Sequence, residues 1–447
     1  MTPPDDAYYA ALEALIRPRA AEALPATLAP MQALLLALGH PEQGFPVVVV
    51  AGSTGKGTTA LRLAAGLAGG GLRVGLYTSP HLHSFRERFA VVTSPPGPLS
   101  VHTEGETIPV SGSSSPLPEG EGQGVRAITS LISPASFVVH AHAVQRAAAL
   151  DQPLSTFEAA TALALCWFAG QAVDVAVCEI GLGGRFDAVN AADHALALIG
   201  PIELEHAAML GGTLVRIAWH KAGVIPAGGS AIAAPPADDR VRAVFEREAA
   251  EKGAHLTYAT DLAQAGLAWL QEWGLAPATA AIPTGAALPG RLERVTVGKR
   301  TVLIDGGHTQ LAARRLAETL APDLPGCVRM VAGILADKDA GAYLPELDMP
   351  GLTLVLTTAP AGRAQPAAAL AETFRAQHVR VEVEPSFDAA LAAALIAPEA
   401  LIAVAGSLRT AAAAREALGL LNEEALEEAR RTRALFEGPG YRAKWGG

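Results

Sequence analysis

The feature that most constrains the fold is a run of four valines that leads directly into a glycine-rich turn. The segment PVVVVAGSTGKGTT, residues 46 to 59, predicts a buried strand, then a turn, and then the start of a helix. A continuous apolar run of this kind, followed by a turn and a helical pattern, is typical of a parallel sheet that is covered on both faces. The segment therefore predicts an α/β fold.

The same turn has the residues needed to bind phosphate. Backbone N–H groups of such a turn and of the following helix face an anion, a lysine adds positive charge, and a hydroxyl can reach Mg²⁺. Lys56 and Thr58 provide the last two groups, although Val50 occupies the first glycine position of the strict pattern and Gly57 separates Lys56 from Thr58. We predict a variant phosphate-binding loop; the alternative is a glycine-rich turn that binds nothing.

Apolar strands alternate with helical patterns in two separate sets. The first set contains strands at residues 47 to 51, 74 to 79, 174 to 181, 195 to 200 and 230 to 235, and the second at 301 to 305, 328 to 335, 352 to 358, 379 to 384 and 401 to 407. Between them lies AIPTGAALPGRLERV, whose Pro and Gly residues suit a hinge. We predict an α/β domain with a mostly parallel central sheet at 1–290 and a second, smaller α/β domain at 291–447.

Two segments depart from this alternation. Residues 93 to 130 are rich in Pro, Gly, Ser and Thr and poor in apolar periodicity, so they cannot bury enough surface to offset the entropy of ordering. We predict a disordered surface insertion at 93–130. The final stretch LLNEEALEEARRTRALFEG has Glu and Arg at helical spacing, which predicts a solvated surface helix.

Composition limits the partners. The net charge is -10, with 34 Lys and Arg against 44 Asp and Glu, so we expect no nucleic acid partner.

Cys166, Cys178 and Cys327 form no CxxC pair, which favours small apolar core residues over a disulfide framework or zinc site. The N-terminus is acidic, and the longest apolar stretch, 159 to 177, is interrupted by polar residues. We expect a cytoplasmic protein without a membrane partner.

A second glycine-rich segment places a carboxylate at the end of a predicted strand. In CEIGLGGRFDAVN, residues 178 to 190, the strand ends at Glu179 and the turn carries Arg185 and Asp187. In an α/β sheet, a carboxylate at the carboxyl end of a central strand near the phosphate loop suits the Mg²⁺ ion of a nucleotide. Glu179 is therefore a candidate metal ligand, and a sheet-edge carboxylate is the alternative.

These two segments together resemble the folylpolyglutamate synthase and dihydrofolate synthase family, ATP-dependent amide-forming ligases of the Mur ligase superfamily. The resemblance covers most of the chain and implies that 1–290 is an ATP-binding central domain and that 291–447 is a Rossmann-like glutamate-ligase domain. Other stretches similar to family motifs are YTSPHLHSFRERF (77 to 89), STFEAATALA (155 to 164), HKAGVI (220 to 225), LPGR (288 to 291), DGGHTQ (305 to 310) and GILADKD (333 to 339). The Ser-Pro-His-Leu stretch combined with Gly-Leu-Gly-Gly-Arg-x-Asp-Ala indicates the folate branch.

The resemblance implies roles for individual residues. Catalytic roles fall on Lys56, His206 and Lys221, the last as a lysine that the family modifies to a carbamate. The implied nucleotide-binding residues are Gly52, Gly55, Lys56, Gly57, Thr58, Thr59, Arg291, Asp305 and His308. The implied metal ligands are Thr58, Ser79, Glu179 and His206, and the implied substrate-binding residues are His81, Phe157, Arg185, Asp187 and Ser407.

The activity that the resemblance implies is ATP-dependent addition of L-glutamate to dihydropteroate, to the γ-carboxylate of folylpolyglutamate, or to both. The implied reaction proceeds through an acyl-phosphate intermediate. The implied cofactors are ATP and Mg²⁺, and a monovalent cation is compatible with the resemblance. The implied partners are small molecules only, namely ATP, L-glutamate and dihydropteroate or a reduced folate. The expected state is a monomer.

Several positions depart from the family's pattern. Thr54 stands where the loop has asparagine, Glu205 where the family has aspartate, His220 where it has an acid, and Thr309 where it has asparagine. These departures motivate an alternative reading, a nucleotide-binding relative with lost or altered ligase activity. A phosphate-loop kinase or NTPase is a third reading, but such an enzyme would need no second domain of this kind.

Overall fold

The computed structural model describes residues 5–16, 27–94, 107–109, 128–148, 154–283, 286–298 and 300–437. The described chain folds into two compact units, the first from 5 to 286 together with 431 to 437, and the second from 287 to 430. The division between Ala286 and Ala287 lies slightly before the predicted boundary at 290. The end of the described chain groups with the first unit, whereas we predicted one C-terminal domain from 291 onward.

The first unit is built of strands and helices in alternation. Its strands are β1 (Val47–Ala51), β2 (Val74–Tyr77), β3 (Phe89–Thr93), β4 (Thr107–Pro109), β5 (Ile128–Leu131), β6 (Val175–Glu179), β7 (Leu196–Ile199), β8 (Ser230–Ala233) and β9 (His255–Tyr258). Its helices are α1 (Asp6–Leu15), α2 (Ala29–Ala37), α3 (Lys56–Gly69), α4 (Pro134–Ala147), α5 (Thr156–Gly170), α6 (Ala207–Leu210), α7 (Leu214–Ala222), α8 (Asp239–Lys252) and α9 (Leu262–Glu272).

Among the described residues, these strands form one nine-stranded sheet in the order β4-β5-β3-β2-β6-β1-β7-β8-β9. The six strands β2, β6, β1, β7, β8 and β9 each run parallel to their neighbours in this order. At the other edge, β3, β4 and β5 pair in antiparallel fashion. The predicted mostly parallel sheet and its five predicted strands are confirmed. We missed β9 because its residues are alternately exposed and half-buried, so no continuous apolar run marks it.

The predicted insertion at 93–130 is described only in part. Residues 107 to 109 form β4 and residues 128 to 131 form β5, which pairs with β3. At these positions the expectation of no regular structure is wrong, because backbone pairing at a sheet edge requires no apolar periodicity. The remainder of the predicted insertion, 95 to 106 and 110 to 127, lies outside the described residues.

The second unit has its own, smaller sheet. Its strands are β10 (Glu293–Val297), β11 (Arg300–Ile304), β12 (Val328–Ala332), β13 (Leu352–Leu356), β14 (Arg380–Val383) and β15 (Leu401–Ala405), and its helices are α10 (Gln310–Leu320), α11 (Ala340–Tyr343), α12 (Ala367–Thr373), α13 (Phe387–Ile396) and α14 (Leu408–Ala417). Within the described part, the order is β10-β11-β15-β12-β13-β14, with only β10 antiparallel to its neighbour. The predicted α/β domain is confirmed, but the last residues of the predicted hinge segment form part of β10.

The last helix, α15 (Glu423–Glu437), is not fully solvated. Glu428 and Thr432 are 3% and 1% exposed, and the guanidinium of Arg431 lies 3.7 Å from the ring centre of Tyr9 in α1. The prediction of a solvated helix is therefore wrong for one face, because charged side chains there pack their stems against another helix.

The cysteines divide by environment. Cys178 is buried in β6, as predicted, and Cys166 is half-buried, whereas Cys327 is exposed in the turn before β12. The prediction of a core position is wrong for Cys327, because this residue lies in the exposed connection between a 3₁₀ segment and β12. In the part of the chain that the structure describes, we find no helix with both the length and the apolarity to cross a membrane.

Candidate active site

The carboxyl ends of the central strands bring Glu179, Ser79 and the glycine-rich turn to one edge of the first sheet. In register, Val50 of β1 pairs with Glu179 of β6. Ser79 follows β2, the other neighbour of β6, and its backbone N–H donates to Glu179 Oε2 at 2.9 Å. The glycine-rich turn after β1 therefore lies beside Glu179 and Ser79. This is the edge at which parallel α/β sheets bind ligands.

The turn has the backbone geometry of an anion site. Gly55, with φ of 83°, precedes α3, and Gly52 has φ of 131°. A Cβ atom at Gly52 would lie 2.7 Å from Gly200 Cα, so only glycine fits between β1 and the segment after β7. Because α3 begins at Lys56, its first N–H groups have no partner within the helix and point toward the turn.

Two lysines converge on one carbonyl of this turn. Lys56 Nζ donates to Gly52 O at 3.0 Å, and Lys221 Nζ donates to the same oxygen at 2.7 Å. Lys221 Nζ also donates to Glu205 Oε1 at 2.9 Å, and the side chains of Lys221 and Glu205 are 2% and 10% exposed. The site thus holds two neighbouring cations and one carboxylate. The sequence showed Glu205 only as a departure from a motif.

The charges in this cluster shift one another's protonation. Burial lowers the pKa of Lys221 from 10.5 to about 8, with Lys56 lowering it further and Glu205 opposing the shift. Burial raises the pKa of Glu205, but the positive charges of Lys221 and Lys56 outweigh burial and leave that pKa below its usual value. Glu205 is therefore an anion at neutral pH, and it balances part of the positive charge beside the turn.

The predicted metal ligands are only partly brought together. Ser79 and Glu179 are in contact, Thr58 lies in the first turn of α3, and His206 precedes α6 with φ of 47°. Within the described ranges, no three His, Cys, Asp or Glu side chains form a metal site. Magnesium in nucleotide sites is held by one or two carboxylates, phosphates and water. The oxygen donors of Glu179 and Thr58 fit an ion of that kind, and the role of His206 stays a prediction.

The predicted substrate residues His81 and Phe157 have aromatic surroundings. His81 Nδ1 accepts a hydrogen bond from Arg88 Nε at 3.2 Å, and its ring centre lies 5.3 Å from that of Phe436. The Phe157 ring lies 5.9 Å from the ring of Tyr77, which ends β2. We missed Phe436 because nothing in the sequence indicates that α15 packs here, and Arg88 because the motif does not show which of its residues are in contact. Substrate binding by His81 and Phe157 stays a prediction.

Arg185 holds the glycine-rich turn after β6 to the helices beside it. Its guanidinium lies 4.1 Å from the ring centre of Trp219 and donates to Trp219 O at 3.2 Å. It also forms an ion pair with Glu248 of α8. These contacts give Arg185 a structural role, and its predicted contact with substrate remains to be tested.

Asp187 is the organising residue of that turn. Its Oδ2 accepts from the backbone N–H of Gly181 at 3.1 Å and of Leu182 at 3.0 Å, and its Oδ1 accepts from Val189 N at 3.0 Å. The side chain is 6% exposed. Three backbone donors therefore depend on one buried carboxylate, and substrate binding by Asp187 stays a prediction beside this role.

Replacing Asp187 with alanine is expected to destabilise the first unit by about 3 kcal/mol, because buried N–H groups lose their acceptor. The measurement is urea unfolding followed by circular dichroism. The control is Asp193→Ala, in the exposed turn before β7, which should unfold as the wild type does. Equal unfolding midpoints for the two variants would contradict the structural role of Asp187.

In the second unit, Asp305 is held at the end of β11. Its Oδ1 accepts from Leu292 N at 3.1 Å, and its Oδ2 accepts from Gly307 N at 3.0 Å. Burial raises the pKa of Asp305, and the charge of Arg291 opposes that shift. Asp305 and Arg291 thus lie near each other, as expected for residues of one site, but nucleotide binding by them stays a prediction.

Two other predicted residues of the second unit lie next to helix ends. His308 is half-buried and precedes Thr309, whose Oγ1 accepts from Ala312 N at 3.2 Å and caps α10. Ser407 is 1% exposed and caps α14 by accepting from Thr410 N at 3.1 Å. Capping explains why a hydroxyl suits Thr309 and Ser407. Ligand binding by His308 and Ser407 stays a prediction.

Both units have counterparts in known proteins. Residues 290–408 match the family model described as Mur ligase, glutamate ligase domain. A dihydrofolate synthase/folylpolyglutamate synthase of Mycobacterium tuberculosis is 30% identical over 88% of this chain and 90% of its own length. A probable bifunctional folylpolyglutamate synthase/dihydropteroate synthase of Haloferax volcanii is 32% identical over 95% of this chain, which spans about half, 52%, of that protein.

A solved structure agrees with the fold. The bifunctional folylpolyglutamate synthase/dihydrofolate synthase of Yersinia pestis, complexed with AMPPNP and a manganese ion, has a TM-score of 0.73 to this chain. The two sequences are 27% identical over 94% of this chain and 98% of the other.

Proposed function

Because this chain belongs to the dihydrofolate synthase/folylpolyglutamate synthase family of the Mur ligase superfamily, we propose that it is an ATP-dependent ligase. Its reaction adds L-glutamate to dihydropteroate or to the γ-carboxylate of a folylpolyglutamate. The observation that carries the proposal is the arrangement around the turn after β1. There, Lys56 and Lys221 share Gly52 O, and the neighbouring strand β6 ends in Glu179.

The chemistry follows from the need to activate a carboxylate before an amine can displace its oxygen. An oxygen of the acceptor carboxylate attacks the γ-phosphorus of ATP, and the bond from that phosphorus to ADP breaks. The nitrogen of glutamate then attacks the acyl carbon, loses a proton, and phosphate leaves. The products are the amide, ADP and phosphate, and no nucleophile of the protein takes part.

The chain contributes binding and charge to this reaction. The N–H groups of the turn and of the first turn of α3 would bind phosphate oxygens, and Lys56 would exchange Gly52 O for such an oxygen. Lys221 remains beside the turn because Glu205 holds its ammonium group. Thr58 and Glu179 would hold Mg²⁺, which when bound supplies positive charge to the transferring phosphoryl group.

Carbamylation of Lys221 is an alternative to the ammonium state, because it would replace the cation paired with Glu205 by an anion. With a pKa of about 8, roughly a tenth of the Lys221 side chains are neutral amines at pH 7, and only the amine reacts with CO₂. A carbamate would stand next to the carboxylate of Glu205, so this modification would require a bound cation. The test is ¹³C NMR of protein in ¹³C-bicarbonate with and without Mg²⁺; a carbamate signal that is absent, or unaltered in Lys221→Met, contradicts the modification.

The assay for the proposed function is ADP release by the purified protein with MgATP and L-glutamate. Dihydropteroate or a tetrahydrofolate is added in separate reactions. We expect release to depend on both glutamate and one of the acceptors, and the acceptor that supports it names the substrate. Release that is independent of either would contradict the ligase. Binding of MgATP without turnover on any acceptor would instead favour a relative that has lost ligase activity.

A further inference from the structure

We infer that Glu203 is a positioning residue for the phosphate-binding turn and that it acts through Thr54, where the family has asparagine. The turn comprises residues 52 to 55, and the segment that holds it comprises residues 200 to 203, directly after β7. The inference rests on the proposed function, because it concerns how the turn is held for ATP.

The backbone brings the two segments together. Gly200 N donates to Ala51 O at 2.8 Å, and Ser53 N donates to Pro201 O at 2.9 Å. The pairing of β1 with β7 thus continues past the ends of both strands. Because Gly52 packs directly on Gly200, with no space for a Cβ atom, the side chains that follow on each segment come within reach of each other.

Three contacts then join the turn to Glu203. Its backbone N–H donates to Ser53 Oγ at 3.0 Å, and Ser53 Oγ lies 3.3 Å from Glu203 O, to which it can donate. The hydroxyl of Thr54 donates to the Glu203 carboxylate. Hydrogen bonds to an ionised acceptor are stronger than those between neutral groups. Both side chains of the turn that can form hydrogen bonds, Ser53 and Thr54, therefore bind the same residue.

The charge of Glu203 indicates that its contribution is geometric. A carboxylate next to a phosphate-binding turn repels the phosphate, so charge alone would weaken ATP binding. The contacts instead fix the conformation of the turn before ATP binds, which lowers the entropy lost on binding. The same turn holds Lys56, whose Nζ lies 3.0 Å from Gly52 O and 3.4 Å from Ser53 O. Displacing the turn would therefore displace this lysine.

The first test is Thr54→Val, which removes the hydroxyl at nearly constant volume. Calorimetry of MgATP binding without an acceptor should show Kd increased about tenfold, the effect of losing one charged hydrogen bond. The KM for the acceptor should stay near the wild-type value, and circular dichroism should show that the variant is folded. Thr54→Ser keeps the hydroxyl and should bind MgATP within about twofold of the wild type.

The second test is a double-mutant cycle with Glu203→Ala. In that background Thr54→Val should change Kd by less than about twofold, because the partner of the hydroxyl is already absent. Glu203→Gln keeps an acceptor oxygen and removes the charge, so it should bind ATP at least as tightly as the wild type, with or without Mg²⁺. If Glu203→Gln weakens ATP binding in the presence of Mg²⁺ but not in its absence, then Glu203 is a metal ligand and the inference is overturned.

The inference can fail while the proposed function stands. Wild-type affinity in Thr54→Val, or an undiminished effect of this substitution in the Glu203→Ala background, contradicts the positioning role while ATP binding stands. Absence of MgATP binding by the wild type contradicts the proposed function and the inference together.

Discussion

Replacing Lys56 with alanine is expected to lower acceptor-dependent ADP release on the order of 100-fold to 1000-fold. Removing one donor aimed at charge that develops in a transition state has an effect of this size in other enzymes. Lys56 is suited to that position because its ammonium group already lies on Gly52 O, at the start of α3. Lys56→Arg should not restore the rate, since a guanidinium has a different shape from an ammonium group.

The matched control for Lys56 is Arg62→Ala. Arg62 is a cation of the same helix, but its guanidinium pairs with Asp261 at the surface, at 2.8 Å and 3.1 Å. The measurement is ADP release at saturating MgATP, with circular dichroism of each variant as a check of folding. Undiminished turnover in Lys56→Ala, or an equal loss in Arg62→Ala, would remove the turn from the mechanism.

Replacing Lys221 with methionine is expected to abolish measurable turnover and to lower the free energy of unfolding by about 3 to 5 kcal/mol. The stability loss arises because the buried carboxylate of Glu205 loses the cation that compensates it. The activity loss arises because one of the two cations beside the turn is absent. Thermal unfolding and ADP release measure the two effects.

A double variant separates the two effects of Lys221. In Lys221→Met with Glu205→Leu, no buried charge remains without its partner, so stability should return to within about 2 kcal/mol of the wild type. Turnover should stay absent, because the ammonium group is still missing. Recovery of turnover in the double variant would show that Lys221 serves only to neutralise Glu205. Failure to recover stability would show that the ion pair is not the source of the loss.

Much of the fold could be predicted from local patterns. The valine run before Gly52 specifies a buried parallel strand, and the helix that begins at Lys56 follows from the pattern after the turn. Glu179 could be placed at the carboxyl end of a central strand because the apolar run ends there. β9 could not be predicted, because its alternately exposed and half-buried residues carry no continuous apolar signal. β3, although largely buried and apolar, was missed because it lies where a motif ends and the predicted insertion begins.

For the site, the sequence could predict which residues are present but not which contacts they make. Ser79 and Glu179 lie together, as expected, since neighbouring parallel strands end at the same edge. The structural contacts of Arg185 and Asp187 were not foreseen, because a motif shows which residues occur and not which atoms they bind. The packing of Phe436 against His81 was likewise hidden, since the charged face of α15 dominates its sequence pattern.

The sequence by itself determined the strand, turn and helix that form the proposed phosphate-binding segment, because apolar runs and glycine conformations act over a few residues. Only the tertiary structure decided which groups surround that segment. Lys221 reaches Gly52 across 169 positions of the chain, and Thr54 reaches Glu203 across 149. Such contacts depend on the order and register of the strands, which no local pattern specifies. The hydrogen bond that Thr54 makes with Glu203 therefore depends on the pairing of β7 with β1, which only the structure shows.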